Sequence, residues 1–241
     1  MYGDHRDLHV RSRRQRQMCI RDRVDIDILK VIFLIAGKGS RLSSITKKKH
    51  KALIEVNKET IIKRLVNQFH SFKVKSRDIT FITGYKSQQI KHEFGKKYNY
   101  FYYGNYFKTN NLHTLINASK VLKIQDTVIC FSDILTTSKA IGKIIDQKIS
   151  KITILSDLSK VRNGTMKITT NKKDLKSIGK LPRKKSSGNY IGIMKVPQKK
   201  MQIFKKFLIG SNHKNKNHYF TEILNDLIKA CLLYTSPSPR D

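Results

Sequence analysis

The chain has 241 residues, 39% of them hydrophobic and 28% charged. That suffices for one medium α/β domain or at most two small ones, and it excludes wholesale disorder. No apolar run approaches the ~20 residues of a membrane helix, and no secretory apolar segment follows the N-terminus, so the expectation is a cytoplasmic protein. The formal charge of +33, from 50 Lys+Arg against 17 Asp+Glu, points to nucleic acid, anionic lipid or phosphorylated small molecules as partners without choosing among them.

Composition divides the chain. Residues 1–23 carry seven of the 13 arginines and no lysine, whereas residues 24–230 carry all 37 lysines and five arginines. Residues 231–241 again lack lysine and hold two of the four prolines. The strings Met18-Cys19-Ile20-Arg21-Asp22-Arg23 and Cys231-Leu232-Leu233-Tyr234-Thr235-Ser236-Pro237-Ser238-Pro239-Arg240-Asp241 resemble translated sequencing-adapter DNA. The expectation is two non-native tails, 1–23 and 231–241, outside the fold of a domain spanning 24–230 that is truncated at its C-terminus. Only Cys130 then remains in the domain, which leaves no disulfide framework and no cysteine metal site. The lysine surplus reads as codon bias on solvated faces.

Along the domain, Lys30–Ala36 is a short β-branched run that stops at glycine and predicts a buried strand. Gly37–Lys51 is a polar, basic loop. Thr60–Phe72 places Ile61, Ile62, Leu65, Val66 and Phe69 at helical spacing, with Thr60 as N-cap. Ile79–Thr83 predicts a strand ended by Gly84, Ser87–Phe94 a short helix, and Tyr98–Tyr103 an extended segment. Asn111–Leu122 is helical, Val128–Phe131 a strand closed by Ser132-Asp133, Ser138–Lys148 a helix and Lys151–Leu155 a strand. Beyond residue 156, Thr165–Thr169, Leu175–Ile178 and Tyr190–Val196 predict strands in succession, and Met201–Leu208 and Tyr219–Ala230 helices. The alternation predicts a mostly parallel central sheet with helices on both faces, followed by a β-richer C-terminal half.

The first predicted strand runs into Gly37-Lys38-Gly39-Ser40-Arg41-Leu42. A glycine turn after a strand lets backbone N–H groups approach phosphate oxygens, but taken alone the glycines are better explained by an ordinary tight turn. A Rossmann fingerprint would need glycine at Leu42, and the P-loop pattern is absent. Asp133 follows a buried strand, where open α/β sheets bind ligands, and Mg²⁺ favours one or two carboxylates together with substrate phosphates. The eight histidines form no metal-binding spacing.

Together, Ala36-Gly37-Lys38-Gly39-Ser40-Arg41-Leu42 and Lys49-His50-Lys51-Ala52-Leu53-Ile54-Glu55-Val56 resemble the signature of the sugar-nucleotide-type nucleotidyltransferases, A-G-x-G-x-R-L followed by P-K-x-L. His50 stands in the usual proline position, as in the choline-phosphate cytidylyltransferase branch. Asn105–Leu112, Ser132–Leu135, Gly188–Ile193 and Tyr219–Ile228 resemble that branch and its phosphoenolpyruvate-mutase-associated relatives, so the resemblance spans about residues 30–228. It implies a Rossmann-like, GT-A-type fold, and a transferase that moves a nucleotidyl group from an NTP, CTP favoured, to a phosphorylated small molecule such as phosphocholine or a phosphonate. It implies nucleotide binding by Ala36, Gly37, Lys38, Gly39, Ser40, Gly84 and Asn110, and catalysis by Arg41 and Lys51. Substrate contacts would come from Asn111 and Lys180, and Mg²⁺ would be held by Asp133. A homodimer is compatible with it.

Each basic residue has a plainer reading as a solvated side chain, and for Lys180 the two readings weigh equally. The family usually has Gly-Asp where this chain has Ser132-Asp133, and its second metal carboxylate follows the late helix, where the matching sequence here stops. A sugar-1-phosphate nucleotidyltransferase using UTP, TTP or GTP, and a basic nucleic-acid-binding domain, are the competing readings. The latter would cluster its lysines on one face, whereas these are spread throughout.

Overall fold

The first strand, β1 (Lys30–Leu34), is buried along almost its whole length. Ile32 and Leu34 pack into one apolar cluster and Val31, Phe33 and Ile35 into a second, because successive side chains of a strand point to opposite faces. A strand dry on both faces needs helices on both sides. In the computed structural model, which describes residues 29–39, 43–146, 151–171, 174–180, 186–210 and 219–237, they are there.

After β1 come a short helix α1 (Ser43–Thr46), a 3₁₀ turn (Lys51–Leu53) and a small hairpin, β2 (Glu55–Val56) and β3 (Glu59–Thr60). Its two turn residues, Asn57 and Lys58, both have positive φ, 54° and 64°, as a tight hairpin requires. Helix α2 (Ile61–Ser71) is capped by Thr60, whose hydroxyl accepts from Lys63 N at 3.3 Å. Its stripe of Ile62, Leu65, Val66 and Phe69 is fully buried. Then follow β4 (Ile79–Thr83), α3 (Ser87–Phe94), β5 (Asn99–Tyr102), α4 (Asn111–Ala118), β6 (Thr127–Phe131), α5 (Ser138–Asp146) and β7 (Ile152–Asp157). The C-terminal part adds β8 (Lys167–Asn171), β9 (Asp174–Gly179), β10 (Gly188–Val196), α6 (Gln198–Gly210), α7 (Phe220–Lys229) and β11 (Leu233–Pro237).

The large sheet has the order β5-β4-β1-β6-β10-β7-β11-β9-β8. Strands β5, β4, β1 and β6 are mutually parallel. β10 enters antiparallel between β6 and β7, and β8 and β9 pair antiparallel. The sheet is therefore mixed: its N-terminal strands are parallel, and its C-terminal half is antiparallel apart from one parallel pair, β7 with β11. The chain moves outward from β1 through β4 to β5 and returns on the other side of β1 as β6, so the connections reverse direction between β1 and β6. In open α/β sheets ligands bind at such a reversal, beyond the carboxyl ends of the strands.

One expectation is corrected. Residues 231–241 do not all lie outside the fold: β11 runs parallel to β7, from Leu233 opposite Ile152 to Pro237 opposite Ser156. Leu233 is buried in the main core. Helix α7 delivers the chain beside β7 and β9, whose facing edges would otherwise lack a partner, and Leu233-Tyr234-Thr235 is a sequence that strands accept. Residues 1–23 and 238–241 lie outside the described residues, as do Ser40 and Arg41. Among the described residues no helix is long and apolar enough to cross a membrane.

Candidate nucleotide site at the carboxyl end of β1 and β6

Leu34 and Phe131 are register partners near the ends of β1 and β6, so the segments that follow them open side by side. After β1, Ala36 is still buried, and its carbonyl accepts from Tyr85 N at 3.0 Å. Gly37 and Lys38 are exposed. Gly39 has φ +70°, and a Cβ there would sit 3.2 Å from Lys51 Cβ and 3.1 Å from its Cδ. Glycine is needed at this position both for the left-handed backbone and because the stem of Lys51 lies directly against it.

Lys51 then reaches across to the end of β6. Its amine donates to Asp133 Oδ2 at 3.0 Å, with the lysine side chain 21% exposed and the aspartate 56%. Glycine turn, lysine and carboxylate, separated by up to 96 positions in sequence, thus meet at one point. Asp133 is a single, open carboxylate. Among the described residues no group of three or more His, Cys, Asp or Glu gathers as a metal cage. The donor set fits a hard cation held jointly by one carboxylate and substrate phosphates, the usual mode for Mg²⁺.

A buried histidine supports this arrangement. His50 is inaccessible to solvent. Its Nδ1 accepts from Ala52 N at 3.1 Å, and its Nε2 lies 2.9 Å from Ile35 O. The first contact requires an unprotonated Nδ1, so Nε2 carries the hydrogen and donates to the carbonyl. Burial pushes the ring's pKa down to about 4, and the positive charges of Lys51 and Lys86 act in the same direction. The backbone N–H of His50 donates to Gln89 Oε1 at 2.8 Å, and Gln89 Nε2 donates to Lys48 O at 3.0 Å. Tyr85 OH donates to Thr46 O at 3.0 Å. The basic loop is thereby tied to Tyr85 in the β4–α3 turn and to Gln89 in the first turn of α3.

The remaining candidates fall at the same end of the sheet or are linked to it. Gly84 ends β4, and a Cβ there would come within 2.8 Å of both Ala36 O and the Tyr106 ring. Its lack of a side chain lets Tyr106 close down on the β1–β4 edge. Asn110 stands at the N-cap of α4. Asn111 Oδ1 accepts from Phe220 N at 2.9 Å and so serves the N-terminus of α7. Lys180 follows β9, and its amine donates to Tyr219 OH at 2.7 Å. Phe220 packs edge-on against Phe131 at the end of β6, with centroids 5.8 Å apart. Asn111, Tyr219 and Lys180 therefore form a chain of contacts leading to the strand that presents Asp133. Ser40 and Arg41 lie outside the described residues.

Sequence reasoning gave no role to His50, Gln89 or Tyr219. The signal for His50 was its place: a polar residue at the hinge between a basic loop and the apolar Ala52-Leu53 pair. Asn189 was also missed as an anchor. Its buried side chain accepts from Arg162 N and Thr165 Oγ1 and donates to Lys160 O, which pins the β7–β8 loop.

The glycine turn thus stands at the reversal point of a mixed α/β sheet, facing a lysine–carboxylate pair. The nucleotidyl transferase family model matches residues 30–178, and the chain belongs to that family. It is 28% identical over 138 residues to the CTP:phosphoglutamine cytidylyltransferase of Campylobacter jejuni, a match covering 54% of this chain and 53% of that protein. The chain thus spans about half the length of this curated relative. Two solved structures share the fold. The inositol-1-phosphate CTP transferase from T. maritima has a TM-score of 0.70 at 14% identity, covering 86% of this chain and 84% of that one. The CTP:phosphocholine cytidylyltransferase from Streptococcus pneumoniae has a TM-score of 0.70 at 18% identity, covering 88% and 90%.

Proposed function

We propose that the protein transfers a cytidylyl group from CTP to a phosphorylated small molecule and releases pyrophosphate. The observation that carries this reading is the convergence of the glycine turn, Lys51 and Asp133 at the β1–β6 reversal. The choice of CTP is supported by the named activities of the relatives. Their acceptors differ, so the acceptor is proposed as a class: a small molecule with a terminal phosphate or phosphonate.

In the reaction, an acceptor oxygen attacks the α-phosphorus of CTP. The bond from that phosphorus to the α–β bridging oxygen breaks, and the electron pair leaves with pyrophosphate. Two anions must meet, so positioning and positive charge supply most of the catalysis. The N–H groups of the Gly37–Gly39 turn, with Ala36, Lys38 and Ser40, would cradle the phosphates, and Gly84 and Asn110 would line the nucleoside side. Lys51 would neutralise charge on the phosphates as the bond changes, and Arg41 would hold the departing pyrophosphate. Asn111 and Lys180 would face the acceptor. Asp133 would hold Mg²⁺, which when bound supplies charge neutralisation across the triphosphate. A cytoplasmic setting, where the nucleoside triphosphate is available, goes with this reading.

The test is pyrophosphate release from each of the four NTPs, paired with phosphocholine, aminoethylphosphonate, phosphoglutamine, inositol 1-phosphate and sugar 1-phosphates. Release that depends on both CTP and an acceptor supports the reading. Preference for UTP, TTP or GTP with a sugar 1-phosphate would replace it, and no release with any pair would reject it.

A further inference from the structure

We infer that His50 is a positioning residue: its buried imidazole splints the carboxyl end of β1 to the turn that carries Lys51, and so sets where the lysine amine stands relative to the glycine turn and Asp133. The inference rests on the proposed nucleotidyl transfer.

Every polar group of His50 is committed. Its N–H goes to Gln89 Oε1 and its carbonyl accepts from Leu53 N at 2.9 Å. Nδ1 accepts from Ala52 N, and Nε2 donates to Ile35 O. The two ring contacts differ in kind. The bond to Ala52 spans two residues and caps the 3₁₀ turn locally. The bond to Ile35 spans 15 residues and joins separate pieces of the fold. Ile35 itself is fixed to the sheet, its N–H donating to Ile82 O at 3.0 Å, and it lies two residues before Gly37. One neutral ring therefore connects the strand that launches the glycine turn with the residue preceding Lys51.

The consequence reaches the site through Lys51. The lysine's stem presses against Gly39, and its amine meets Asp133 at 3.0 Å. Loop backbone has no ladder to hold it; beside the Gln89 and Tyr85 contacts and the burial of Ala52 and Leu53, the His50 bond is the link that joins the stem to the strand carrying the glycine turn. A flexible lysine is a good charge but a poor ruler; the accuracy must come from its backbone anchor. Displacements of about 1 Å at a reacting centre can cost around 100-fold in rate.

The two ring functions can be separated by substitution. His50→Gln places an amide N–H near the position of Nε2 and keeps a donor toward Ile35 O. His50→Asn places an acceptor near Nδ1 and keeps only the local bond to Ala52. His50→Ala removes both. Each variant is assayed well below its unfolding midpoint for kcat and KM, and each is crystallised to locate the Lys51 amine. The expected result is that His50→Gln stays within roughly tenfold of wild-type kcat, while His50→Asn and His50→Ala fall by about 100-fold with little change in the KM for CTP. In the crystals, Lys51 stays against Asp133 in the Gln variant and moves away in the Asn variant. A merely structural histidine gives a different pattern: lower midpoints, unchanged kcat and an unmoved Lys51. That pattern overturns the inference, as does a kcat for His50→Asn equal to that of His50→Gln. If the wild-type protein turns over no NTP, the proposed activity has failed, and the Lys51 positions in the Gln and Asn crystals still decide whether His50 sets them.

Discussion

Replacing Lys51 by alanine separates the structural from the catalytic account of the site. The structure bounds the stability term. Lys51 is 21% exposed, and its partner Asp133 is 56% exposed at 3.0 Å. An ion pair this open contributes ~0–1 kcal/mol, which moves the unfolding midpoint of a domain this size by no more than about 4 °C. The catalytic term is larger. If the amine meets charge that grows on the phosphates in the transition state, its removal raises the barrier by ~2–4 kcal/mol, by analogy with single oxyanion donors. That corresponds to a fall in kcat/KM of about 30- to 1,000-fold. The assay is pyrophosphate release alongside thermal unfolding on the same preparations, with Lys51→Arg as a charge-retaining control. A Lys51→Ala protein whose kcat/KM stays within about threefold of wild type, or whose loss of activity follows its loss of fold, refutes the reasoning and makes the pair a surface contact.

Three further outcomes follow from the same structure. Asp133→Asn keeps the side chain's size and removes its charge, so Mg²⁺-dependent CTP binding by calorimetry weakens sharply while Mg²⁺-free binding changes little; equal Mg²⁺ dependence in both proteins excludes Asp133 as the ligand. His50 is neutral when folded, with a pKa of about 4 against 6.5 ordinarily. The unfolded chain therefore takes up the proton first as pH falls, and the stability His50 contributes is complete above 6.5 and lost toward 4, ~3 kcal/mol in all; urea unfolding across that range shows this slope in wild type and a shallower one in His50→Gln. Ending the chain at Ala230 strips β11 from β7 and empties the Leu233 site, so stability falls by at least ~2–5 kcal/mol, the range for one large-to-small core change, whereas an unchanged midpoint means that β11 is not part of the folded sheet.

Local signals carried far along this chain. The apolar runs at Lys30–Ala36, Ile79–Thr83 and Val128–Phe131 became β1, β4 and β6 because a short β-branched stretch between breakers has few other ways to be buried. The Thr60 cap and the stripe of α2 were equally readable. Direction was not: nothing in Gly188–Val196 says that β10 runs against β6 and β7, since a strand dry on both faces reads the same either way. The turn of β2–β3 was hidden because Lys58 takes a positive φ of 64°, a conformation usually marked by glycine or asparagine. β11 was masked by the composition of residues 231–241, which says nothing of the open edge waiting between β7 and β9. At the site, Asp133 was legible from its place after a buried strand. The work of His50 and the use of Asn111 Oδ1 to cap α7 were not, since both depend on contacts between distant segments.

The most direct test of the account is ³¹P NMR of the protein mixed with CTP, Mg²⁺ and each phosphorylated acceptor in turn. Cytidylyl transfer gives, for at least one acceptor, paired growth of a new diphosphodiester resonance and of pyrophosphate in equal amounts, with CTP consumed one for one. CTP that stays intact with every acceptor, or that is consumed only to CDP and phosphate, contradicts it.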